Sequence, residues 1–382
     1  MSQPARPTLP ALLTLNAGSS SLKFQLFELS EDLPFLIGGA IMDLGEHPAF
    51  HLHRAESGGD ETIPLADGME VDQAIGWLLD WLDHNLGTHS VEAAAHRIVH
   101  GGARFDQSIE LDREAMAYLQ TLVPLAPLHQ PHNLKPVEAL WRSHPRLRQF
   151  GCFDTAFHAG HGPLAREFAL PVRIRDRGVR RYGFHGLSYA WIARVLARES
   201  PFLAAGCVVV AHLGSGASLC ALKGGISIDT TMGLTALDGL PMGTRCGALD
   251  PGVILYLEQG LGLSAAEVEH MLYEESGLKG LSELSSDVKT LVESNDPRAR
   301  FALDYFAYKT AQQVAAMTIA LGRLDGIVFT GGVGENAASV REAILAHLNW
   351  LRPFQVRVIP ANEERAMALD VHARIDAPQA VT

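Results

Sequence analysis

Apolar residues come in short runs over the first fifty positions and at helical spacing after that. Ala11-Leu12-Leu13-Thr14-Leu15 is a run of the buried type and Phe24-Gln25-Leu26-Phe27 alternates, so strands are predicted at 11–15, 22–29, 35–42 and 50–53. Over 71–86 the period lengthens, and Ala74, Leu78, Leu79 and Leu82 share one face of a helix. Two more strands follow at 93–99 and 148–153, each ending in polar, potentially reactive residues. A second series then opens with strands at 207–211, 218–222 and 226–230 and becomes helical from Pro251. The longest helical pattern, 297–321, leads to an apolar strand at 325–330 that runs into a glycine loop, Gly331-Gly332-Val333-Gly334-Glu335-Asn336. Such a strand-to-glycine junction is where open sheets bind nucleotides, although as an isolated turn it could simply cap a helix. Strands followed by α/β alternation, twice over, predict two domains of similar plan.

The repeat reaches single residues. Asn16-Ala17-Gly18-Ser19-Ser20-Ser21-Leu22-Lys23 sits between the first two strands, and Gly214-Ser215-Gly216-Ala217-Ser218-Leu219 echoes it in the second half. A hairpin tip of hydroxyls, an amide, a glycine and a lysine suits phosphate and Mg²⁺, while a polar turn that merely solvates itself fits the same residues. It is not a P-loop, because Lys23 belongs to the following strand and no helix follows the glycine.

Composition narrows the partners. With 382 residues the chain is too long for one core. Its 36 glycines exceed average usage of roughly 7% and cluster between apolar runs, as ligand-binding loops do. A formal net charge of −12 argues against nucleic acid or an anionic membrane as partner, so an anionic substrate must be drawn in by local cations. Cys152, Cys207, Cys220 and Cys246 are widely spaced and read as buried free thiols in a reducing compartment. Residues 1–7 hold no apolar signal segment and no apolar run is long enough to span a bilayer, so a cytoplasmic protein is expected.

Taken together, several blocks resemble the acetokinase family, within the superfamily of acetate and sugar kinases, chaperone ATPases and actin. They are 15–23, His96-Arg97-Ile98-Val99-His100-Gly101-Gly102, Ala126-Pro127-Leu128-His129, Phe153-Asp154-Thr155-Ala156-Phe157-His158 and Arg181-Tyr182-Gly183-Phe184-His185-Gly186. His212-Leu213-Gly214-Ser215-Gly216, Pro241-Met242-Gly243-Thr244-Arg245, Gly332-Val333-Gly334-Glu335-Asn336 and Asn362-Glu363-Glu364 complete the set, which covers nearly the whole chain in the family's order. The resemblance implies two duplicated RNase-H-like (actin-like ATPase) α/β domains with the active site in the cleft between them. The expected division is 1–155 with 366–382, and 156–365 for nucleotide binding and dimerisation. It implies reversible transfer of the ATP γ-phosphoryl group to acetate, with Mg²⁺ (or Mn²⁺) and a homodimer.

The residue types make sense of that reaction. A carboxylate is already ionised at neutral pH, so the acceptor needs no general base; it needs to be held in line while charge on a loose phosphoryl transition state is neutralised. Arginine suits both tasks, and by the resemblance Arg97 holds the substrate carboxylate and Arg245 the transferring phosphoryl group. Each is expected to be replaceable without unfolding the chain. His185 and His129 would donate hydrogen bonds to phosphoryl oxygens, whereas His96, His100, His158 and His212 read by default as structural, although His212 also lies in the block placed at the nucleotide. Asp154 and Glu363 offer hard oxygen ligands to the metal, with Asn16 orienting a metal-bound water; Glu363 equally suits a helix N-terminus. Ser19, Ser21 and Lys23 would line the phosphate path. Gly214, Ser215, Gly216, Asp287, Val288, Lys289 and the 332–336 segment would hold the nucleotide.

Departures from the family pattern fall at the base and at the acyl pocket. Ser215 stands where the family usually has Asn, and Asp287-Val288-Lys289 where it has Asp-Phe-Arg, which removes stacking and cation–π options. The acyl methyl pocket would be formed by Val99, Leu128, Phe184 and Ala236, the last in place of a proline. A propionate or butyrate kinase is therefore the alternative within the family, and a pyrophosphate-using relative is conceivable. An actin- or chaperone-like ATPase and a binding protein without chemistry are the alternatives outside it. Arg97 together with His129, Asp154 and Arg245 argues against both, because a nucleotide clamp needs no second arginine for a carboxylate.

Overall fold

The computed structural model describes residues 8–18, 20–54 and 60–375. The chain divides into two units, Met1–Ala156 with Asn362–Thr382, and Phe157–Ala361. The ends beyond 8 and 375, like Ser19, lie outside the described residues.

The first unit is built on an eight-stranded sheet of β1 (Leu9–Ala17), β2 (Leu22–Glu28), β3 (Phe35–Met42), β4 (Ala49–Arg54), β5 (Asp60–Pro64), β6 (His89–Ile98), β7 (Ile109–Glu110) and β8 (Arg148–Phe153). Its order is β5-β4-β3-β2-β1-β6-β8-β7, with β1 to β5 a meander and β1, β6 and β8 parallel. Alternation in β1 sends Ala11, Leu13 and Leu15 to one face, where they pack with Phe24, Phe50, Leu78 and Leu82. Phe50 meets Trp77 edge-on at 4.9 Å between ring centres, which seats the helix Val71–Asn85 on that face. On a second cluster Ile98 and Phe153 pack with Met116 and Leu119 of the helix Arg113–Thr121 and with Leu134 and Val137 of the helix Gln130–Ser143. The C-terminal helix Glu363–Ile375 returns to this unit and packs on β1, β2 and β6. Arg365 anchors its start by donating to the carbonyls of Leu33 and Asp32, with its guanidinium 5.2 Å from the centre of the Phe27 ring.

The second unit repeats the plan on five strands, β9 (Cys207–Leu213), β10 (Ala217–Lys223), β11 (Ile226–Thr230), β12 (Gly326–Thr330) and β13 (Gln355–Val358). The order β11-β10-β9-β12-β13 matches β3-β2-β1-β6-β8: three antiparallel strands, then two parallel ones. This is the duplicated RNase-H-like arrangement. Val208, Val210, Cys220 and Val328 pack with Tyr189, Ile192 and Leu196 of the helix Gly186–Glu199. Among the described residues no helix is long and apolar enough to cross a membrane.

The glycine run after β12 is a short helix, Gly331–Asn336, where a loop was expected. Gly331 enters it at φ +79°, and a Cβ there would lie 2.8 Å from the Leu213 carbonyl. The Glu335 carboxylate then accepts from the N–H groups of both Gly331 and Ala361, each at 2.9 Å, so an acid within the run holds the turn.

Candidate functional site

In the first unit the site residues stand at adjoining strand ends. Asn16 is near the end of β1, Arg97 near the end of β6 and Asp154 one residue beyond β8. Arg97 donates from Nε to both Asp154 oxygens at 3.1 and 3.2 Å and from Nη2 to Oδ2 at 2.7 Å. Its Nη1 reaches Asn16 Oδ1 at 3.3 Å and lies 3.6 Å from Glu363 Oε2. Burial opposes the arginine's charge, yet Asp154, Glu363 and Glu364 together hold the guanidinium more firmly protonated than usual. Asp154 is 1% exposed, and burial raises its carboxyl although Arg97 pulls it down. Glu364 is raised by burial and then by Glu363, against the pull of Lys23 and a hydrogen bond with Asn16. Replacing Arg97 is therefore expected to cost stability as well as charge. Its partner is a buried carboxylate that would be left alone.

These oxygens fit a hydrated divalent cation. Asp154, Glu363 and Glu364 bring three carboxylates to Arg97 and Lys23, burial raises those of Asp154 and Glu364, and Asn16 adds an amide oxygen; Mg²⁺ uses one or two carboxylates with water and phosphate rather than a full protein cage. Among the described residues no group of three His, Cys, Asp or Glu is arranged to hold a metal by itself.

The hairpin tip is closed by Gly18 N–H donating to the Ser21 carbonyl at 2.8 Å, and Lys23 pairs across the strands with Asn16. His129 precedes the helix Gln130–Ser143 as its N-cap, Leu128 beside it is 41% exposed, and Val99 is buried. Two residues that the sequence reading passed over hold these elements together. Asn133 Oδ1 accepts from Val99 N–H at 2.9 Å while its Nδ2 donates to the Ala17 carbonyl at 2.8 Å. Gln130 exchanges hydrogen bonds with the His100 backbone at 3.1 and 3.2 Å.

The second unit holds a separate group. His185 sits at φ +57° as the N-cap of the helix Gly186–Glu199, a left-handed position that a histidine adopts at some cost. The approach to it depends on Gly183, at φ +77°, where a Cβ would fall 2.5 Å from Thr230 Cγ2 and 2.7 Å from His158 Cδ2. The His185 and His212 rings stack with centres 4.3 Å apart. The 214–216 turn is closed by Gly214 N–H donating to the Gly216 carbonyl at 3.0 Å, and the Ser215 carbonyl accepts from Gly243 N–H at 3.2 Å. A Cβ at Gly216 would lie 3.3 Å from His185 Nε2 and 3.9 Å from Arg245 Nη1, so both cations or donors flank one glycine. Arg245 Nη1 also donates to the Ala236 carbonyl at 3.2 Å. Phe184 is buried and its carbonyl bonds His158.

Asp287 caps the helix Val288–Glu293, accepting from Thr290 N–H and its hydroxyl at 2.9 and 2.8 Å, and these bonds lower its carboxyl below the usual range. Val288 is buried and Lys289 exposed. Within the 332–336 segment, Gly332 is exposed, Val333 is half-buried, Gly334 is buried, and Asn336 Nδ2 donates to the Gly332 carbonyl at 2.9 Å.

The histidines read as structural at 96, 100 and 158 are buried. Burial lowers His96 to about 4 and His158 to about 3, with Gln149 bonding the first and Ser227 the second, each at 2.8 Å. His161, absent from the sequence reading, shares Ser227 Oγ at 2.8 Å and is lowered to about 4, first by burial and then by Arg181.

The model of the acetokinase family matches residues 11–368. The chain belongs to this family. It is 46% identical over 344 residues to an acetate kinase of Rhodopseudomonas palustris, covering 89% of this chain and 86% of that one. It is 40% identical over 395 residues to the acetate kinase of Rhizobium meliloti, covering 97% and 100%. Among solved structures, a propionate kinase from Francisella tularensis is similar with TM-score 0.88 at 32% identity, covering 95% of this chain and 99% of that one. The acetate kinase of Porphyromonas gingivalis is similar with TM-score 0.84 at 32% identity, covering 96% and 100%. As a member of the acetokinase family the chain is an enzyme, a kinase that transfers phosphate to a carboxylate acceptor.

Proposed function

We propose that this acetokinase-family enzyme transfers the ATP γ-phosphoryl group to acetate, reversibly and by direct in-line attack, giving acetyl phosphate and ADP. The observation that carries the reading is Arg97: a permanently charged planar fork, fixed by buried Asp154 at the ends of three parallel strands and still 23% exposed. A carboxylate acceptor arrives ionised, so the reaction calls for orientation and charge neutralisation, which Arg97 supports toward the carboxylate and Arg245, His185 and His129 toward the phosphoryl group. Asn16, Asp154 and Glu363 would hold Mg²⁺, or Mn²⁺, which when bound supplies charge neutralisation at the phosphoryl oxygens. Ser21, Lys23 and, outside the described residues, Ser19 belong to the phosphate path in this reading. In the second unit we assign the nucleotide to His212, the 214–216 turn, the 287–289 segment and the 332–336 segment. The reading includes a homodimer through this unit. The reading also makes the protein cytoplasmic, with four free cysteines as support.

One observation favours propionate as a second substrate. Alanine at 236 is smaller than the proline of the family pattern, and one extra methylene contributes about 0.8 kcal/mol when buried. The test is acyl phosphate trapped as hydroxamate across acetate, propionate and butyrate, with ATP, GTP or pyrophosphate as donor. We expect acetate and propionate within about tenfold in kcat/KM, a range typical of single-methylene discrimination. With Ser215 and Val288 at the base site, ATP and GTP should also lie within about tenfold, roughly 1.4 kcal/mol. No acyl phosphate with any carboxylate would overturn the function, and activity with pyrophosphate alone would overturn the donor.

A further inference from the structure

Behind the two stacked imidazoles of the second unit lie three hydroxyls that nothing so far has assigned: Ser218 and Tyr189 behind His185, and Ser188 behind His212. We propose that these hydroxyls fix the proton order on both rings, so that His185 and His212 each present Nε2–H to an anion lodged at the 214–216 turn. The proposal deepens the acyl-kinase reading and rests on it for the identity of that anion, a phosphoryl group.

The proton order follows from what each buried hydroxyl can reach. Tyr189 is fully buried and its hydroxyl lies 2.5 Å from Ser218 Oγ, a contact in which either oxygen could donate on distance alone. Among the described residues Ser218 is the hydrogen-bond partner of that hydroxyl, and burial keeps the phenol protonated far above its usual range. A buried O–H with no acceptor is costly, so Tyr189 donates to Ser218. The Ser218 proton must then go to its other neighbour, His185 Nδ1, at 2.8 Å. A neutral imidazole that accepts at Nδ1 carries its proton on Nε2.

The second ring obeys the same rule. Ser188 is fully buried, its Oγ lies 2.9 Å from His212 Nδ1, and the described residues offer it no other side-chain partner. Its proton therefore goes to Nδ1, and His212 also carries Nε2–H. Both Nε2 atoms face the turn: a Cβ at Gly216 would lie 3.3 Å from that of His185, and one at Gly214 would lie 4.0 Å from that of His212.

The fold delivers the pair as a unit. Ser218 and His212 are cross-strand partners in β10 and β9, and Tyr189 is one helical turn from His185, to whose carbonyl its N–H donates at 3.1 Å. Neutral rings stack without like-charge repulsion and aim two N–H dipoles at one place, while Arg245 beside Gly216 supplies the positive charge. Ser218 and Ser188 are thus positioning residues, and Tyr189 fills the acceptor side of Ser218. They act through the imidazoles.

The test pairs a spectroscopic signature with kinetics on the full chain. In ¹⁵N-histidine-labelled enzyme, with resonances assigned through His185→Gln and His212→Gln, long-range ¹H–¹⁵N spectra should show both rings protonated at Nε2 and unprotonated at Nδ1. Ser218→Ala removes the hydroxyl that donates to Nδ1, so Nδ1–H should appear at His185 alone, and Ser188→Ala should do the same at His212 alone. Tyr189→Phe leaves Ser218 with Nδ1 as its acceptor, so both rings should keep Nε2–H. For Ser218→Ala we expect kcat to fall about tenfold with the carboxylate KM within about twofold, because a donor aimed at developing charge is lost from part of the population. Ser218→Thr, which keeps a hydroxyl, should hold both the spectrum and kcat. Nδ1–H at His185 in the wild type or in Tyr189→Phe overturns the proposal, as does a tautomer change in Ser218→Ala with kcat unaltered. Failure of the wild type to make any acyl phosphate, with both rings still Nε2–H, overturns the functional reading and leaves the proton order standing.

Discussion

Arg97 is at once a reagent and a structural ion. Its guanidinium is held on two edges by Asp154 and touches Asn16, so removing it subtracts charge from the site and strands a carboxylate that is almost without solvent. Arg97→Ala should therefore lower turnover by roughly 10³-fold or more and also lower stability by about 3 kcal/mol. Direct assay of acyl phosphate and urea unfolding read the two losses separately. Arg97→Lys should recover part of the stability and little of the turnover, since an ammonium cannot reproduce the fork. A lysine variant with near-native kcat would remove the arginine from its assigned role. Ala236 has a different dual position, its side chain assigned to the acyl pocket and its carbonyl accepting from Arg245. Ala236→Pro keeps that carbonyl, so the propionate-to-acetate ratio of kcat/KM should fall several-fold, within the roughly 10- to 200-fold that one methylene commands. An unchanged ratio would show that this residue does not set chain length.

At the scale of elements, the site is a set of strand ends held by polar side chains from elsewhere. Asn133, on the helix Gln130–Ser143, ties the residue after β6 to the last residue of β1. Asn133→Ala leaves a buried N–H and a buried carbonyl unpaired, which should cost about 3 kcal/mol in urea unfolding and loosen Arg97 against Asn16. Asn133→Asp keeps the acceptor but sets a carboxylate oxygen against the Ala17 carbonyl, and should cost at least as much. Sequence pattern had shown the strands at whose ends these residues stand, because apolar runs marked 11–15, 93–99 and 148–153. It did not show the helix that holds them. Pro136 interrupts the helical pattern of Gln130–Ser143, while Pro131 sits in its first turn, and packing against β6, β1 and the helix Val71–Asn85 overrides the break. β13 escaped for a different reason: it is a four-residue, largely exposed edge strand whose two valines are too few to mark it. Asp154 and Arg97 were legible as charges at strand ends. Glu364, Gln130, Asn133, Ser218 and Tyr189 were not, since each acquires its role from a partner far away in the chain or from a hydroxyl whose direction no pattern records.

For the whole molecule, the buried histidines predict a definite acid response. His96, His158 and His161 have ordinary values near 6.5 that burial lowers to about 4, 3 and 4. The unfolded chain takes up protons at these positions below pH 6.5 while the folded chain does not. Their contribution is thus complete above that pH and is lost progressively as pH falls toward 4. At pH 5 each should have withdrawn about 2 kcal/mol relative to neutral pH. Thermal unfolding between pH 7.5 and 5 should show the decline, and His161→Gln, which can still bond Ser227, should flatten it. A pH-independent midpoint over this range would mean that the histidines are solvated.

The first unit is written in two pieces, with the second unit between them. A ribosome therefore delivers β1 to β8 early and Glu363 to Ile375 after a gap of roughly 200 residues that takes some 10 to 40 seconds to synthesise. Throughout that interval the nascent chain presents the surface on β1, β2 and β6 that the last helix will cover, and Arg97 lacks Glu363. Glu363 and Glu364 join the Arg97 charge cluster once the second unit has been made. The delay leaves that sheet face to be covered by a helix more than about 200 residues away in sequence, so the first unit closes by a long-range contact.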